Sequence, residues 1–464
     1  MAKTIPLLDL MFFLSETKAN PKHVAALILL EAPTNSKKDF VAKLAAAYRK
    51  AAPRSPFDWV AQFGLSHLPR WVNTGEFDME YHVLHTVLPR GATQAELIAH
   101  IAQQHEQLLD RSQPVFQAEF IEGLPNREFA VYLKIHHALV DGASAIARVL
   151  ASLGETPSAR PPEPFFAVGV GDEAPPQRRA RASTAAAIKD LILKQGAAGG
   201  DLALKLLRKQ LGGGAEGVGS APFSAPRGPM NEPMVGTRSI ALLSLPIDEM
   251  KAAGKAFGGT LNDVAVAVVD AALTRYLRGR RKATGERLVA MCPVSLREAG
   301  DKEATTKVSA IFVPLGAPGM KIGPRMEQVI ASAGSAKAEL CRMSKDAAMI
   351  YVIAAFGLSE ISELVRLDTM VRPLANFVLS NVPGSRTERY LGRAKVLGMY
   401  PVSALGAGIG LNVTLLSYGN SMDFGFVANG ASMPDLDKVA NYTRAAFADL
   451  CKAAVKRERG ASLR

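Results

Sequence analysis

Two adjacent histidines are the most concentrated chemical signal in this sequence. They open the segment HHALVDG at 136–142, in a chain that has eight histidines in 464 residues. A neutral imidazole can take up a proton near physiological pH, so a well-placed histidine can act as a general base. Asp141 is close enough in sequence to organise the same loop, and Gly142 can adopt backbone conformations that other residues avoid. The segment is therefore a candidate site for proton transfer.

Other kinds of reactive site are less well supported. Adjacent side chains of an extended chain point to opposite faces, so His136 and His137 would not easily share one metal ion. The sequence contains no G-x-S-x-G nucleophile elbow, no Walker A loop and no H-E-x-x-H motif. Its three cysteines are widely spaced, which excludes a disulfide framework and a cysteine zinc site and suits a reducing compartment. We expect no metal site, and we interpret His82 and His85 as structural residues.

The candidate loop lies between a predicted strand over 128–135 and a predicted helix over 143–152. Hydrophobic periodicity predicts further elements on both sides of it. The additional strands are predicted over 23–31, 115–121, 237–245, 286–294, 307–315, 374–381, 410–417 and 422–428, and the additional helices over 38–52, 95–110, 247–257, 261–277, 324–343 and 436–455. Strands and helices that alternate in this way predict the α/β fold class.

Composition divides the chain into three parts. We predict an N-terminal domain over 1–155 that holds the histidine motif, a proline- and glycine-rich linker over 156–234, and a C-terminal domain over 235–464. The linker contains an amphipathic segment, 185–211, with more basic than acidic residues. Such a segment is either a surface helix packed on its own protein or a reversible contact with a lipid surface.

The formal net charge of +12 has several possible uses. A basic surface attracts nucleic acid, anionic lipid and anionic cofactors alike. The sequence lacks a helix-turn-helix, zinc or RNA-binding signature, so a nucleic-acid-binding protein is the less favoured hypothesis. No apolar run approaches the ~18 residues of a membrane-spanning helix. The first fourteen residues also lack the pattern of a signal peptide, and we expect a cytoplasmic protein.

Several motifs, taken in order, resemble those of a known family. The pattern H-H-x-x-x-D-G is shared by the CoA-dependent acyltransferase superfamily, which includes chloramphenicol acetyltransferases and the condensation domains of peptide synthetases. Over nearly its whole length the chain is similar to the bacterial wax ester synthase/diacylglycerol acyltransferase family. The matching blocks are PLLD at 6–9, FL at 13–14, PKHV at 21–24, TLNDV at 260–264, PVSLR at 293–297, SNVPG at 380–384, LNV at 411–413 and SY at 417–418. One departure is PVF at 114–116, where the family often has Pro-Leu-Trp.

The resemblance implies a fold and a reaction. The fold would consist of two chloramphenicol acetyltransferase-like α/β domains with mixed sheets, joined by the long linker, with the active site in a tunnel at their interface. The family transfers an acyl group from acyl-CoA to a long-chain alcohol, giving a wax ester, or to diacylglycerol, giving triacylglycerol. The alcohol would attack directly, without an acyl-enzyme, and acyl-CoA would be a substrate with no further cofactor. Lysine and arginine side chains at the tunnel mouth would raise the rate of encounter with CoA phosphates.

The resemblance also implies roles for the histidine motif. The second histidine of the family pattern is the general base, and it corresponds to His137. His136 would support the loop. Asp141 would form a structural ion pair with an arginine, for which Arg297 is our candidate, and Gly142 completes the motif.

Two further pairs of residues are candidates for substrate contact. Asn262 is a possible oxyanion donor and Asp263 a possible substrate-binding residue; the alternative is that this pair caps the helix that follows. Ala354 and Gly357 are three apart in an apolar segment, so on a helix they would share one face and form a groove for a long acyl chain. The alternative for this pair is ordinary close helix packing.

The acceptor and the cellular location are less narrowly specified. The same fold could use a short alcohol, a polyketide or an amine as the acceptor. We also expect peripheral association with the inner membrane or with lipid bodies, through the segment 185–211 and the basic stretch 452–464, because such apolar substrates concentrate in lipid.

Overall fold

A computed structural model describes residues 2–64, 67–161, 163–169, 222–282, 285–295, 308–343, 345–367 and 369–462. The amphipathic segment 185–211 and Arg297 lie outside the described residues. The chain forms two compact units, which do not follow one another simply in sequence. The first unit comprises Met1–Thr184, Val382–Ala404 and Leu416–Gly419, and the second comprises Ala185–Asn381, Leu405–Leu415 and Asn420–Arg464.

The described strands and helices confirm most of the predicted elements, with shifts of a few residues at their ends. The strands are β1 (Ala2–Thr4), β2 (His23–Glu31), β3 (Trp59–Gly64), β4 (His67–Asn73), β5 (Val83–Val87), β6 (Phe116–Glu122), β7 (Glu128–His136), β8 (Arg238–Pro246), β9 (Val289–Ser295), β10 (Val308–Pro314), β11 (Phe377–Ser385), β12 (Tyr390–Leu391), β13 (Ala394–Val402), β14 (Leu411–Tyr418) and β15 (Ser421–Asn429). The helices are α1 (Leu7–Ser15), α2 (Phe40–Arg49), α3 (Met79–His82), α4 (Gln94–Glu106), α5 (Gly142–Ala151), α6 (Ile247–Phe257), α7 (Leu261–Gly279), α8 (Ile322–Cys341), α9 (Lys345–Leu364) and α10 (Leu436–Ser462). A short 3₁₀ turn covers Pro229–Asn231.

The first unit is built on a six-stranded mixed sheet. Its strand order is β12-β13-β2-β7-β6-β5, and a separate three-stranded sheet has the order β1-β4-β3. Strands β2 and β7 pair antiparallel, with His23 opposite His136, whereas β5 and β6 run parallel. All of β7 after its first residue is buried, because strands flank it on both sides and side chains cover both faces. The histidine motif therefore begins at the end of a rigid central strand.

The 114–116 departure from the family pattern lies in the core of the first unit. Phe116 is fully buried in an aromatic cluster with Phe57, Phe165 and Phe166, at ring-centroid distances of 5.2, 6.0 and 5.2 Å. The ring of His82 stacks on Phe116 at 4.2 Å, and its Nδ1 lies 2.9 Å from the Phe116 carbonyl oxygen. The pairs of Phe116 with Phe57 and Phe165 are edge-to-face, a geometry that stabilises a core beyond the area it buries. Both Phe116 and His82 are structural residues.

The second unit is built on another six-stranded mixed sheet, with the order β10-β9-β11-β14-β15-β8. Successive residues of a strand point to opposite faces, so one strand serves two clusters. Ile311 and Val313 of β10 belong to the larger core that includes residues of α6, α7, α8 and α10. Ala310 and Phe312 belong to a smaller cluster that includes residues of α9. Helices therefore cover this sheet on both faces.

One glycine of the SNVPG block has a clear packing reason. A Cβ atom at Gly384 would lie 2.0 Å from the Ser417 carbonyl oxygen, which no side chain can tolerate. The Gly384 N–H donates to the Ser417 hydroxyl at 3.0 Å, and the Tyr418 hydroxyl donates to the Val396 carbonyl oxygen at 3.0 Å. The blocks SNVPG and SY thus meet because the backbone approaches itself closely there.

Among the residues the structure describes, no single helix has both the length and the apolar composition of a membrane span. The consecutive helices α6 and α7 meet those criteria only as a pair bent by 93°. Within the same part of the chain, no group of three or more histidine, cysteine or acidic side chains is arranged to hold a metal ion.

Candidate active site

The histidine motif lies where β7 leaves the sheet of the first unit. The His136 N–H donates to the Val115 carbonyl oxygen at 2.9 Å, and the His137 N–H donates to the Lys22 carbonyl oxygen at 2.9 Å. Helix α5 begins immediately afterwards, at Gly142. Backbone hydrogen bonds therefore fix both histidines between a central strand and the start of a helix, which is a suitable position for precise chemistry.

His136 is fully buried and its ring orientation is set on three sides. The ring stacks on Phe13 of α1 at a centroid distance of 4.3 Å and an interplanar angle of 11°. Its Nδ1 accepts the Ala138 N–H at 3.2 Å, so the ring proton lies on Nε2. That Nε2 is 3.4 Å from Oε1 of Glu16. Its contacts thus fix the buried His136 ring in one orientation, consistent with the supporting role that the resemblance implies.

Glu16 is a buried carboxylate that links three parts of the site. Its side chain is 1 % exposed; Oε1 accepts the Lys22 N–H at 2.9 Å and Oε2 accepts Nη2 of Arg111 at 2.9 Å. Burial alone would raise its pKa. The nearby His136 ring, the Lys22 N–H and the Arg111 guanidinium together outweigh burial and lower the pKa of Glu16 to about 2. Glu16 is therefore ionised throughout the working pH range.

His137 is the chemically available histidine. Its half-buried ring stacks on Phe12 of α1 at 4.3 Å and 22°. Its Nδ1 is buried, and among the described residues no group hydrogen-bonds to it. Burial lowers the pKa of His137, with the nearby His136 and Lys22 acting in the same direction and Asp141 opposing them. The imidazole is therefore neutral at neutral pH, as a base must be before it accepts a proton.

Asp141 and Gly142 form the start of α5. Asp141 is the N-cap, and its Oδ1 accepts the Ser144 N–H at 2.7 Å. The backbone of Gly142 does not adopt the left-handed conformation that its residue type allows. It is the first residue of the helix, and a Cβ atom there would meet nothing within 4 Å. The ion pair of Asp141 with Arg297 stays a prediction, since Arg297 lies outside the described residues.

We expect Asp141→Ala to lower both stability and rate, and Asp141→Asn to separate the two structural roles. Alanine removes the helix cap, which costs about 1 kcal/mol, and also any ion pair. Asparagine keeps a good cap but removes the charge. Urea unfolding of both variants is the measurement. Equal stability of Asp141→Asn and the wild type would contradict an ion pair, and an unchanged stability of Asp141→Ala would contradict the cap as well.

The TLNDV block lies at the start of α7 in the second unit. Thr260 is the N-cap, and Asp263 closes a capping box with it: Oδ2 accepts the Thr260 N–H at 2.8 Å and the Thr260 hydroxyl at 2.7 Å. Asp263 thus has the capping function that was the alternative to substrate binding. Asn262 is exposed, and its Oδ1 accepts Nδ2 of Asn381 at 2.7 Å. This bond brings the TLNDV and SNVPG blocks together.

Ala354 and Gly357 lie on α9, as the apolar pattern of that segment suggests. Both are half-buried, and Ala354 packs against the smaller core cluster of the second unit. They are three residues apart and therefore lie close together on the helix surface. Their position fits a shallow groove and also fits close packing, so their role as a channel lining stays a prediction.

Four residues that surround the two histidines had no predicted role. Phe12 and Phe13 stack on His137 and His136, and the buried carboxylate of Glu16 forms an ion pair with the partly exposed Arg111. The PLLD…FL block, which runs from 6 to 14, was a usable signal for the two phenylalanines. Arg111 is 95 residues from Glu16 along the chain, and no local pattern indicates such a pairing.

Comparisons with known families agree with the motif-based resemblance. The family profile described as "Wax ester synthase/diacylglycerol acyltransferase catalytic domain" matches residues 6–265, and that described as "WS/DGAT C-terminal domain" matches residues 305–451. The chain is 29 % identical over 440 residues to the O-acyltransferase WSD of Acinetobacter baylyi, with 94 % of each chain covered. It is 32 % identical over 460 residues to a Mycobacterium tuberculosis protein provisionally named a diacylglycerol O-acyltransferase, with 98 % of this chain and 100 % of that one covered.

Solved structures support the predicted fold class. The wax ester synthase/diacylglycerol acyltransferase of Marinobacter aquaeolei VT8 matches with a TM-score of 0.77 and 28 % identity, covering 97 % of this chain and 99 % of that one. The first condensation domain of the calcium-dependent antibiotic synthetase matches with a TM-score of 0.57 and 14 % identity, covering 98 % and 96 % of the two chains, which is a likeness of fold alone. The prediction of two acyltransferase-like α/β domains with mixed sheets is confirmed.

Proposed function

This chain belongs to the wax ester synthase/diacylglycerol acyltransferase family, and we propose that it transfers a long-chain acyl group from acyl-CoA to the hydroxyl of a long-chain alcohol or of diacylglycerol. Family membership makes it an O-acyltransferase and decides against the nucleic-acid-binding hypothesis. The observation that carries the proposed mechanism is the neutral, half-buried imidazole of His137 at the end of a central strand, within the family motif.

In the proposed reaction His137 acts as the general base. Its Nδ1 is enclosed, so Nε2 is the nitrogen that would take the hydroxyl proton as the alcohol oxygen attacks the thioester carbon. The tetrahedral intermediate then expels the CoA thiolate, which recovers that proton from His137. The products are the ester and free CoA, and the enzyme returns to its starting protonation state. Proton transfer of this kind contributes typically ~10²–10⁴-fold to the rate.

Asn262 is the proposed donor to the oxyanion of the intermediate. Because its Oδ1 accepts the hydrogen bond from Asn381, the amide is oriented and its NH₂ group remains available to donate. The residue is exposed, so a substrate oxygen can reach it. A preorganised donor acts where negative charge develops, and the loss of one such donor costs roughly 10²–10³ in kcat.

The pH dependence of kcat/KM should show a single acidic limb below pH 6.5. The pKa of His137 is lowered from its ordinary value of 6.5, so the active neutral form is complete above that pH and is lost as pH falls through the lowered pKa. Asp9 is the main competing explanation, because burial raises its pKa to about 6 and Asp141 adds to the shift. The acidic limb should persist in Asp9→Asn. If the limb disappears in that variant, Asp9 rather than His137 is the group whose protonation lowers kcat/KM.

We propose that Ala354 and Gly357 line the channel for one apolar chain. Gly357→Ile should then block the groove on α9 and shift the preference toward shorter acyl chains or alcohols. Product profiles across a series of chain lengths measure this. A matched control is Gly334→Ile, because Gly334 is an exposed helical glycine of α8 whose Cβ position has no neighbour within 4 Å. An equal loss on all chain lengths, or unfolding, would indicate packing instead.

Contact with lipid completes the proposal. We propose a cytoplasmic enzyme that associates peripherally with the inner membrane or with lipid bodies, where its apolar substrates concentrate. Within the basic stretch 452–464, Lys452 pairs with Asp449 at 3.4 Å, and Arg457 pairs with Glu327 while its guanidinium lies 4.9 Å from the ring of Phe257. Because Lys452 and Arg457 already form ion pairs within the protein, they would contribute less to binding anionic lipid than free cations would.

A direct assay tests the acceptor. Palmitoyl-CoA is supplied with hexadecanol, with a diacylglycerol, with a short alcohol or with a long-chain amine, while thiol release and lipid products are followed. We expect thiol release with hexadecanol or diacylglycerol, matched by ester formation. Turnover restricted to the short alcohol or the amine would replace the proposed acceptor while leaving the acyltransferase class intact.

A further inference from the structure

One face of β7 is polar although it is buried. Successive side chains of a strand point to opposite faces, and on one face Leu133 and Ile135 join the core of the first unit. On the other face lie Lys134 and His136, which are buried as well. His23 of β2 is directly opposite His136 and therefore shares that face. Buried polar groups are costly unless they have partners, so this face must be matched by polar groups of another element.

The end of α4 provides these partners. The Lys134 Nζ donates to the Gln104 carbonyl oxygen at 2.9 Å and to the Gln107 carbonyl oxygen at 3.2 Å. The His23 Nε2 donates to the His105 carbonyl oxygen at 2.6 Å. The last turn of a helix leaves carbonyl groups without helical partners, and a cation there also stabilises the negative end of the helix dipole. Lys134 and His23 thus fix the end of α4 beside the strand that carries the histidine motif.

Lys134 is a buried cation with two carboxylates in its surroundings. Burial lowers the pKa of Lys134 to about 8, while the charges of Glu119 and Glu16 oppose that shift. The ammonium group is therefore mainly protonated at neutral pH. It can donate to both carbonyl oxygens of α4 at once.

The segment 107–115, which follows α4, is a fixed connection. The Asp110 N–H donates to the Tyr81 hydroxyl at 2.7 Å, and the Asp110 Oδ1 accepts the Ser112 N–H at 2.8 Å. A segment held by such bonds passes a shift of the helix end on to the residues that follow. The first of these with a contact to the histidine site is Arg111.

Arg111 connects the segment 107–115 to α1. Its Nη2 donates to the Phe13 carbonyl oxygen at 2.8 Å and to Oε2 of Glu16 at 2.9 Å. Phe13 and Glu16 in turn contact His136, and α1 also carries the ring that stacks on His137. The position of Arg111 therefore affects the packing of α1 against both histidines.

We propose that Lys134 is a positioning residue for the acyl transfer: by capping the end of α4 it places Arg111, which holds α1 against the two histidines. The proposal deepens the proposed function and rests on it, because the effect on rate requires His137 to be the base. Lys134 is buried beneath α4, so it acts through Arg111 and not on the substrate. A displacement of about 1 Å at the reacting groups can cost ~10²-fold in rate, and we expect a partial displacement to cost about tenfold.

Kinetics of Lys134→Met test the proposal, with palmitoyl-CoA and an acceptor that the wild type uses. Methionine fills similar space without a donor for the carbonyl groups of α4. We expect kcat to fall about tenfold with an unchanged KM for palmitoyl-CoA, at a temperature where the variant is folded. Lys395→Met is the matched control, because Lys395 lies on β13 of the same sheet and its Nζ bonds to the exposed Glu388 at 2.6 Å. A wild-type kcat in Lys134→Met would overturn the proposal.

A double-mutant cycle tests the route through Arg111. If Lys134 acts through Arg111, the variant Lys134→Met/Arg111→Gln should lose no more kcat than the more impaired single variant. Losses that multiply would overturn the proposal, because Lys134 would then affect the rate by a separate route. A failure of the proposed function is seen separately: His137→Ala would keep its turnover, whatever Lys134→Met does.

Tyr81→Phe tests the same connection without removing a buried charge, and it decides the matter if Lys134→Met does not fold. The substitution deletes only the hydroxyl that accepts the Asp110 N–H. We expect kcat to fall about threefold at an unchanged KM, and we expect no further fall when Tyr81→Phe is added to Arg111→Gln. A wild-type kcat in Tyr81→Phe would then contradict a fixed connection from α4 to Arg111.

Discussion

His137→Ala should lower kcat by about 10²–10⁴-fold while the fold and acyl-CoA binding survive. The ring is half-buried, its Nδ1 has no hydrogen-bond partner among the described residues, and its stacking on Phe12 is the main contact the substitution removes. The remaining structure therefore loses little, and the loss falls on proton transfer. Steady-state kinetics with palmitoyl-CoA and hexadecanol measure the loss of turnover, and thermal melting measures whether the fold survives.

His85→Ala is the matched control for this experiment. His85 is also half-buried, but its Nε2 lies 2.5 Å from Oε1 of Glu122 on the neighbouring strand. Its loss should change turnover by no more than a few-fold. A decrease below about tenfold in His137→Ala is too small for a general base and would remove that role from the residue.

Glu16→Gln should lower the free energy of unfolding by about 3 kcal/mol at pH 7. The pKa of Glu16 is about 2 in the folded state, against an ordinary value of 4.5, and each unit of difference corresponds to about 1.4 kcal/mol. Because the folded pKa is the lower one, this stability is present above pH 4.5 and is lost as pH falls from 4.5 toward 2. The gap between variant and wild type should therefore shrink to about half at pH 3.

Glu16→Gln should also affect turnover. Glu16 holds His136 directly, and it accepts the N–H of Lys22, whose carbonyl oxygen holds the backbone of His137. We expect a lower kcat with an unchanged KM for acyl-CoA. Glu80→Gln is the control, because Glu80 pairs with Arg49 at 3.0 Å on the surface and its side chain is 74 % exposed. Such a pair is worth less than ~1 kcal/mol. Equal unfolding curves for the two variants would show that the buried Glu16 carboxylate stabilises the fold no more than the exposed Glu80 carboxylate does.

The alternation of strand and helix patterns determined the fold class from the sequence alone. Strand β7 and helix α6 illustrate why: their apolar spacing is local, and local spacing survives in any tertiary context that buries one face. Short elements were less predictable. Helix α1 was not predicted, because its segment LLDLMFFLS is apolar nearly all round and carries no helical stripe.

The boundaries of the two units were not predictable in the same way. A division at 155 and 235 follows composition, which changes along the chain in sequence order. The compact units instead assign Val382–Ala404 and Leu416–Gly419 to the first unit, where β13 pairs with β2. Strand pairing between residues several hundred positions apart leaves no compositional trace, so only the tertiary structure could assign these segments.

The candidate base, by contrast, was determined by the sequence, since one motif carries both histidines, Asp141 and Gly142. The tertiary structure decided what surrounds them. It placed Phe12 and Phe13 under the two rings and set Glu16 against His136 and Arg111. It also turned Ile361 and Leu364 of α9 outward, although their apolar character alone predicts burial. The physical reason is the same in each case: a motif specifies which groups can react, whereas burial, charge and orientation depend on residues that meet only when distant segments pack together.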